Sequence, residues 1–218
     1  MKVRSVSLAG ILVVFMLGCS LLSFAAESAT IQLPNPQKEG GKPLMSALND
    51  RMSIRTFSGE KFPMQTLSNL LWAAFGINRT DGRRTAPSAK NWQETDIYVA
   101  TADGVYLYDA KKNTLDTIAT KDIRATTGIQ AFVKDASVNL IYVANYSKII
   151  AGDEYDKQIL VGADAGLISE NVYLFCASEG LATVVRANID RDALAKELKL
   201  KPEQKIILAQ SVGHPKKQ

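Results

Sequence analysis

One histidine and two cysteines are all that the 218 residues contain. A protein metal centre is built from clustered His, Cys and carboxylate ligands. His214 stands alone in a Gly-His-Pro turn, so no such set is expected and no residue is assigned to a metal. Cys19 lies in the N-terminal segment; if that segment is removed after it, only Cys176 remains and an intramolecular disulfide is excluded. Cys176 sits in an apolar stretch and reads as a packed thiol. No Gly-x-Gly-x-x-Gly follows a strand-like segment, which removes the fingerprint of a doubly wound dinucleotide-binding fold. Neither sign of charge dominates: 26 Lys and Arg face 22 Asp and Glu, a formal +4. Part of that excess is Lys2 and Arg4, so nothing argues for nucleic acid. Internal repeats and low-complexity tracts are also absent. What remains is a chain of one-domain length with 46% hydrophobic residues, ample for a packed core.

The N-terminus reads as a targeting segment. Lys2 and Arg4 precede an apolar run from Leu8 that continues to Ala26 with only small or weakly polar breaks. Ser23-Phe24-Ala25 carries small residues where a general signal peptidase reads, predicting a signal peptide over 1–26. Gly18-Cys19 offers a second exit, with Cys19 lipidated as a membrane anchor, although Leu17 fits that pattern poorly. An uncleaved anchor is the third. In each case the protein is expected to be exported, periplasmic or secreted.

Residues 27–43 hold Pro34, Pro36, Gly40, Gly41 and Pro43 and read as an extended arm or tether. A short helix is expected over Leu44–Asp50. Pro63 suits the first turn of a second over 64–76, where Leu67, Leu70, Leu71, Ala74 and Phe75 recur at helical spacing and Gly76 ends it. Segment 78–91 is a long polar loop, and such loops often carry function. Strands are expected over Thr95–Thr101, 105–108 and Thr114–Ala119, with a hairpin turn at Asp103-Gly104. A weak helical region at 121–134, broken near Gly128, precedes a central strand at 138–144. The longest helix, 156–180, is apolar on most sides and should be the buried core helix. A strand over 182–189, a helix over 191–200 capped by Asp190, and a last strand over 205–212 complete the chain. Hairpin-joined strands with helices before and after them indicate an α+β domain over 44–218.

Two stretches carry the chemistry. Arg51-Met-Ser-Ile-Arg-Thr-Phe57 puts Arg51, Ser53 and Arg55 at alternate positions, on one side of an extended backbone. Two guanidinium forks and a hydroxyl suit a phosphate, because each planar fork can bind two anionic oxygens. Pro87-Ser-Ala-Lys-Asn91 is the second. The two, on either side of the helix over 64–76, resemble the nitroreductase-like family of FMN-dependent oxidoreductases, including its branch of dehydrogenases acting on peptide-derived heterocycles. Asp164-Ala-Gly-Leu-Ile-Ser-Glu-Asn171 and the closing Ser211-Val-Gly-His-Pro215 extend the resemblance over most of the chain.

The resemblance implies an antiparallel sheet flanked by helices around a long core helix. It implies FMN, with phosphate and ribityl held by Arg51, Ser53 and Arg55, and Pro87, Ser88 and Asn91 beside the flavin. It places a backbone N–H from Ala187 or Asn188 near the reactive N5. It also implies a homodimer with FMN at the interface, reduction by NAD(P)H or another donor, and a small substrate such as a nitroaromatic, quinone or heterocycle. Hydride transfer is the cofactor's chemistry, so no catalytic side chain is required. Family members carry basic residues beyond the last turn; here Lys216 and Lys217 would complete the phosphate site, a weaker clamp than a fixed Arg. Plainer readings stand beside these. Ser88 and Asn91 would serve as loop-stabilising hydrogen-bond partners, Asp164 and Asn171 would satisfy buried backbone, and the chain would be an exported binding module with little or no flavin.

Overall fold

The computed structural model describes residues 29–217; the expected signal segment, with Cys19, lies outside them. Seven strands form one antiparallel sheet: β1 (Thr30–Gln32), β2 (Thr95–Thr101), β3 (Val105–Asp109), β4 (Thr114–Ala119), β5 (Val138–Asn145), β6 (Ala182–Arg186) and β7 (Gln204–Gly213). Their order across the sheet is β1-β4-β3-β2-β5-β7-β6. Four helices accompany them: α1 (Leu44–Asp50), α2 (Met64–Phe75), α3 (Glu154–Glu179) and α4 (Arg191–Glu197).

The central strands carry apolar residues toward both faces because both faces of the sheet are covered. In β2 and β5, Ile97 pairs with Tyr142 and Val99 with Leu140; these point to the side where Leu70, Leu71, Phe75, Ile168 and Val172 of α2 and α3 pack. The alternate residues Tyr98, Ala100, Ile141 and Val143 face Ile189, Leu194 and Leu198 on the α4 side. Each fully buried Leu, Ile or Val contributes about 1.5–3 kcal/mol, so these two layers carry most of the favourable burial.

Segment 27–43 enters the domain at Thr30, where β1 pairs with β4. Beyond it the Ser68 hydroxyl donates to Pro34 O at 2.5 Å, Gln65 Nε2 to Asn35 O at 2.9 Å, and Lys42 N to Ser178 Oγ at 2.8 Å. The arm is therefore draped over α2 and the end of α3.

Asp153 starts α3 two residues before the expected point, its side chain accepting from Asp156 N at 2.8 Å. Gly180 ends it in the left-handed conformation, φ 69°. Long and apolar enough by composition to cross a bilayer, α3 instead buries one side against the sheet, through Val161, Ala165, Ile168, Val172 and Cys176. Its other side is exposed and still apolar, with Tyr155, Ile159 and Leu167.

Two expectations are corrected. The helical region 121–134 is two short 3-10 turns, Arg124–Thr127 and Ala131–Asp135. The hydroxyls of Thr126 and Thr127 take the carbonyls of Ile123 and Arg124, a local competition that stops a helix propagating. The strand expected over 182–189 ends at Arg186, which leaves Ala187 and Asn188 as exposed loop residues.

Candidate functional site

Segment 51–58 is laid between β6 and the C-terminal residues. Ile54 N donates to Thr183 O at 2.9 Å, Ser58 N to His214 O at 2.9 Å, and Lys216 N to Thr56 O at 3.2 Å. Ile54 and Phe57 turn their apolar side chains onto Ala182 and Val184. Ser53 and Arg55 are exposed and Arg51 half-buried, but Phe57, two residues beyond Arg55, is buried, so strict alternation does not hold across the segment. Backbone pairing through Thr56 brings the Lys216 backbone beside segment 51–58. Among the described residues, no carboxylate pairs with Arg51, Arg55, Lys216 or Lys217. Asp50, the nearest in sequence, is held by Lys42 at 2.7 Å.

Tyr173 of α3 organises this clamp. Its hydroxyl lies 2.8 Å from Ser53 Oγ and accepts from Val185 N at 3.0 Å. Either hydroxyl can donate in this pair; when Tyr173 donates, the Ser53 proton is left for an anion. The Arg51 guanidinium lies 5.4 Å from the centre of the Tyr173 ring, within cation–π range. Ala187 and Asn188 follow Val185 by two and three residues. The clamp and the expected N5-proximal backbone are therefore linked through one phenol. Sequence reasoning missed Tyr173, which reads as one more apolar position of a core helix.

The loop at 88–93 is held elsewhere. The Ala89 N–H donates to Asp164 Oδ2 at 2.8 Å. Ser88 Oγ accepts from Gln93 N at 3.0 Å and Asn91 Oδ1 from Gln93 Nε2 at 3.1 Å. The loop-stabilising reading of Ser88 and Asn91 is thus realised, yet only their acceptor capacity is used; the Ser88 hydroxyl proton and the Asn91 NH2 retain donor capacity for a ligand. Arg84 clamps the loop to the end of α2, donating to Gln93 Oε1 at 2.8 Å and Phe75 O at 2.9 Å. Three non-glycine residues here have positive φ: Lys90 at 50°, Asn91 at 56° and Gln93 at 48°. Each costs on the order of 1 kcal/mol, so the surrounding bonds hold the loop in a shape it would not adopt alone. Pro87 is exposed at its start.

Asp164 and Asn171 do satisfy buried backbone, Asn171 Nδ2 donating to Ala74 O at 3.4 Å. Beside Asp164 lies Glu94, fully buried. Burial first, then the neighbouring Asp164 carboxylate, pushes the Glu94 carboxyl above its ordinary range. Burial likewise raises Asp164, against the Ala89 N–H bond that lowers it. His214 packs edge-on against Phe62, ring centres 5.2 Å apart, and no group of three metal-ligating side chains occurs among the described residues.

The expected site residues thus fall into two groups within one chain. Arg51 and Ser53 meet Tyr173 directly, with Ala187 and Asn188 two and three residues beyond Val185 and Arg55 and Lys216 on the adjoining backbone; Pro87, Ser88 and Asn91 lie in the loop that Asp164 holds. Asp164 and Tyr173 are nine residues apart on α3, about 13–14 Å along its axis and half a turn round it. A single chain does not bring the two groups together.

The sequence matches the model of the nitroreductase family over residues 48–214. It is 28% identical over 187 residues to a nitroreductase homologue of Methanocaldococcus jannaschii, covering 80% of this chain and 92% of that protein. The fold is similar to a nitroreductase-type crystal structure from Ralstonia eutropha JMP134, with TM-score 0.83, 39% identity and coverage of 87% and 90% of the two chains. It is similar in fold, at 19% identity and TM-score 0.60, to the NADPH:FMN oxidoreductase of Vibrio harveyi complexed with NAD+, over 80% of this chain and 69% of that one. The chain belongs to the nitroreductase family of oxidoreductases.

Proposed function

We propose that the protein is an exported, homodimeric, FMN-dependent oxidoreductase acting on a small organic substrate such as a nitroaromatic, quinone or heterocycle. The observation that carries this reading is segment 51–55 with Lys216 on the paired backbone: Arg51, Arg55 and Lys216 have no carboxylate partner among the described residues, and Ser53 is tied through Tyr173 to the Val185 backbone just before Ala187 and Asn188. Its donor set fits the group: guanidinium and ammonium for a phosphate dianion, hydroxyl and amide for a ribityl chain, and exposed amides beyond β6 for a flavin edge. When bound, FMN would supply two-electron chemistry by accepting and returning a hydride at N5. Arg51, Arg55 and Lys216, with Lys217 beyond, neutralise the phosphate. Ser53, fixed by the Tyr173 phenol, donates to it. Ala187 and Asn188, released from the sheet ladder at Arg186, offer backbone N–H to the ring. NAD(P)H, or another small donor if the protein is exported, supplies the electrons.

The split of the site and one surface support homodimerisation. Leu44, Met45 and Leu48 of α1, Met52, and Tyr155, Ile159 and Leu167 of α3 are all large, apolar and exposed, between 44% and 76%, and α1 packs against α3. On that side of α3, Gly162 and Gly166 have no neighbour within 4 Å of where a Cβ would sit. Glycine inside a helix costs about 1 kcal/mol relative to alanine, and nothing within the chain requires it. Close approach of a second α3 would, and it would carry the partner's 88–91 loop toward the clamp.

Purification from FMN-replete cells tests the cofactor reading. Yellow protein whose flavin spectrum is bleached by NAD(P)H and restored by a quinone is expected. Colourless protein that takes up no added FMN leaves the binding-module reading and removes this one.

A further inference from the structure

Glu94 and Asp164 form a buried carboxyl pair that the chemistry above does not use. Glu94 is 0% exposed and Asp164 4%. Glu94 Oε1 accepts from the Thr95 hydroxyl at 3.2 Å, while Oε2 is buried without a donor; the Asp164 carboxyl is the neighbouring charge that pushes Glu94 up. Among the described residues, no cation pairs with either carboxyl. On the adjoining strand and turn, Lys148 is spent on Asp96 at 2.8 Å and on Gln93 O at 3.3 Å. Tyr146 contributes a neutral phenol, with Glu154 of α3 beyond it, and Lys90 of the loop lies over Trp92. Two ionised carboxylates in contact without a counterion repel each other and lose their hydration, so one proton has to sit between them.

We infer that Glu94 and Asp164 are positioning residues for the loop carrying Ser88 and Asn91, one proton shared between their carboxyls keeping Asp164 in place to hold the Ala89 N–H. Glu94 Oε2–H donates to Asp164, and Asp164 Oδ2 accepts from Ala89 N. That bond anchors a loop whose Lys90, Asn91 and Gln93 are strained. Removing the proton sets two negative charges against each other, expels Asp164 from its place and frees the loop to relax. Burial raises both carboxyls, which places the release above the ordinary carboxylate range. The loop's contact with FMN rests on the function proposed above; the proton-held anchor does not.

Hydrogen exchange of the Ala89 amide in flavin-free protein, corrected for intrinsic rate, from pH 5 to 9, tests the anchor. The wild type is expected to be protected at low pH and then to open about tenfold more for each further pH unit, as one linked proton requires. Glu94→Gln donates from Nε2 at every pH and is expected to keep protection constant. Asp164→Asn, which can accept from Ala89 and donate to an ionised Glu94, should also be flat, and serves if the first variant does not fold. The FMN dissociation rate of loaded protein is measured alongside and is expected to follow the wild-type step and to be pH-independent in the variants. Flat exchange in the wild type, or an unaltered step in both variants, overturns the inference. An exchange step in protein that binds no FMN supports the anchor while removing the flavin reading.

Discussion

Replacing Tyr173 with phenylalanine removes one oxygen and leaves the ring under Arg51. Tyr173 is 6% exposed, and its hydroxyl makes two bonds, one to Ser53 Oγ and one from Val185 N–H. Each is worth about 0.5–1.5 kcal/mol net, and an orphaned half-buried N–H adds to the cost. Tyr173→Phe is expected to destabilise by about 2 kcal/mol, or roughly 4–8 °C in Tm for a domain of this size. A urea titration at fixed protein concentration should show a lower midpoint with unchanged slope, because the surface exposed on unfolding is the same. FMN affinity should fall about tenfold, since Ser53 loses the bond that orients it while the Arg51 charge and its cation–π contact persist. The two readouts separate stability from ligand contact: excess FMN should restore part of the lost stability by mass action. An unchanged midpoint together with unchanged FMN affinity would refute the view that this phenol couples the clamp to the backbone beyond β6.

Arg55→Ala should weaken FMN binding by about 1.5–3 kcal/mol, the range for a hydrogen bond to a charged group, read as a ten- to hundredfold rise in Kd; unchanged retention removes Arg55 from the site. Gly128→Ala should destabilise by about 1–3 kcal/mol, because the new Cβ would sit 2.1 Å from Arg186 Nη1 and 2.9 Å from Gln130 Oε1. Arg186 is buried and held by Thr127, Asn139 and Ser211, so it cannot swing aside; φ at Gly128 is −179°, an ordinary extended value, and a thermal melt isolates the steric cost. Leu167→Glu alters a side chain 44% exposed in the single chain, so the fold should persist while association weakens by at least about 3 kcal/mol from an unpaired buried charge. Light scattering should then report monomer at concentrations where the wild type is dimeric, and a persistent dimer places the interface elsewhere.

Local spacing made much of the architecture legible. Leu44–Asp50, Thr95–Thr101 and Thr114–Ala119 have the expected bounds, because helical and strand periodicities, a proline start and a glycine turn act over a few residues. The exposure of Ser53 and Arg55 agrees with the expected outward side of segment 51–55, although Phe57, in the same register, turns into the core. Periodicity could not foresee that hydroxyls of Thr126 and Thr127 would break a helix, nor that β6 would stop at Arg186.

The remainder required contacts between residues far apart in the chain. Tyr173 meets Ser53 across 120 positions, Asp164 meets Ala89 across 75, and Lys216 reaches Thr56 only because the chain's end lies beside segment 51–58. The face that α3 buries was likewise undetermined, since large apolar residues occur on both sides of it. Composition and spacing determined the helices, the strands and the anion-seeking residues, because these depend on each residue's own geometry and charge. Only the tertiary structure decided which side chains aim that charge and which buried acids hold the second loop, because those roles exist only once distant segments exclude water together.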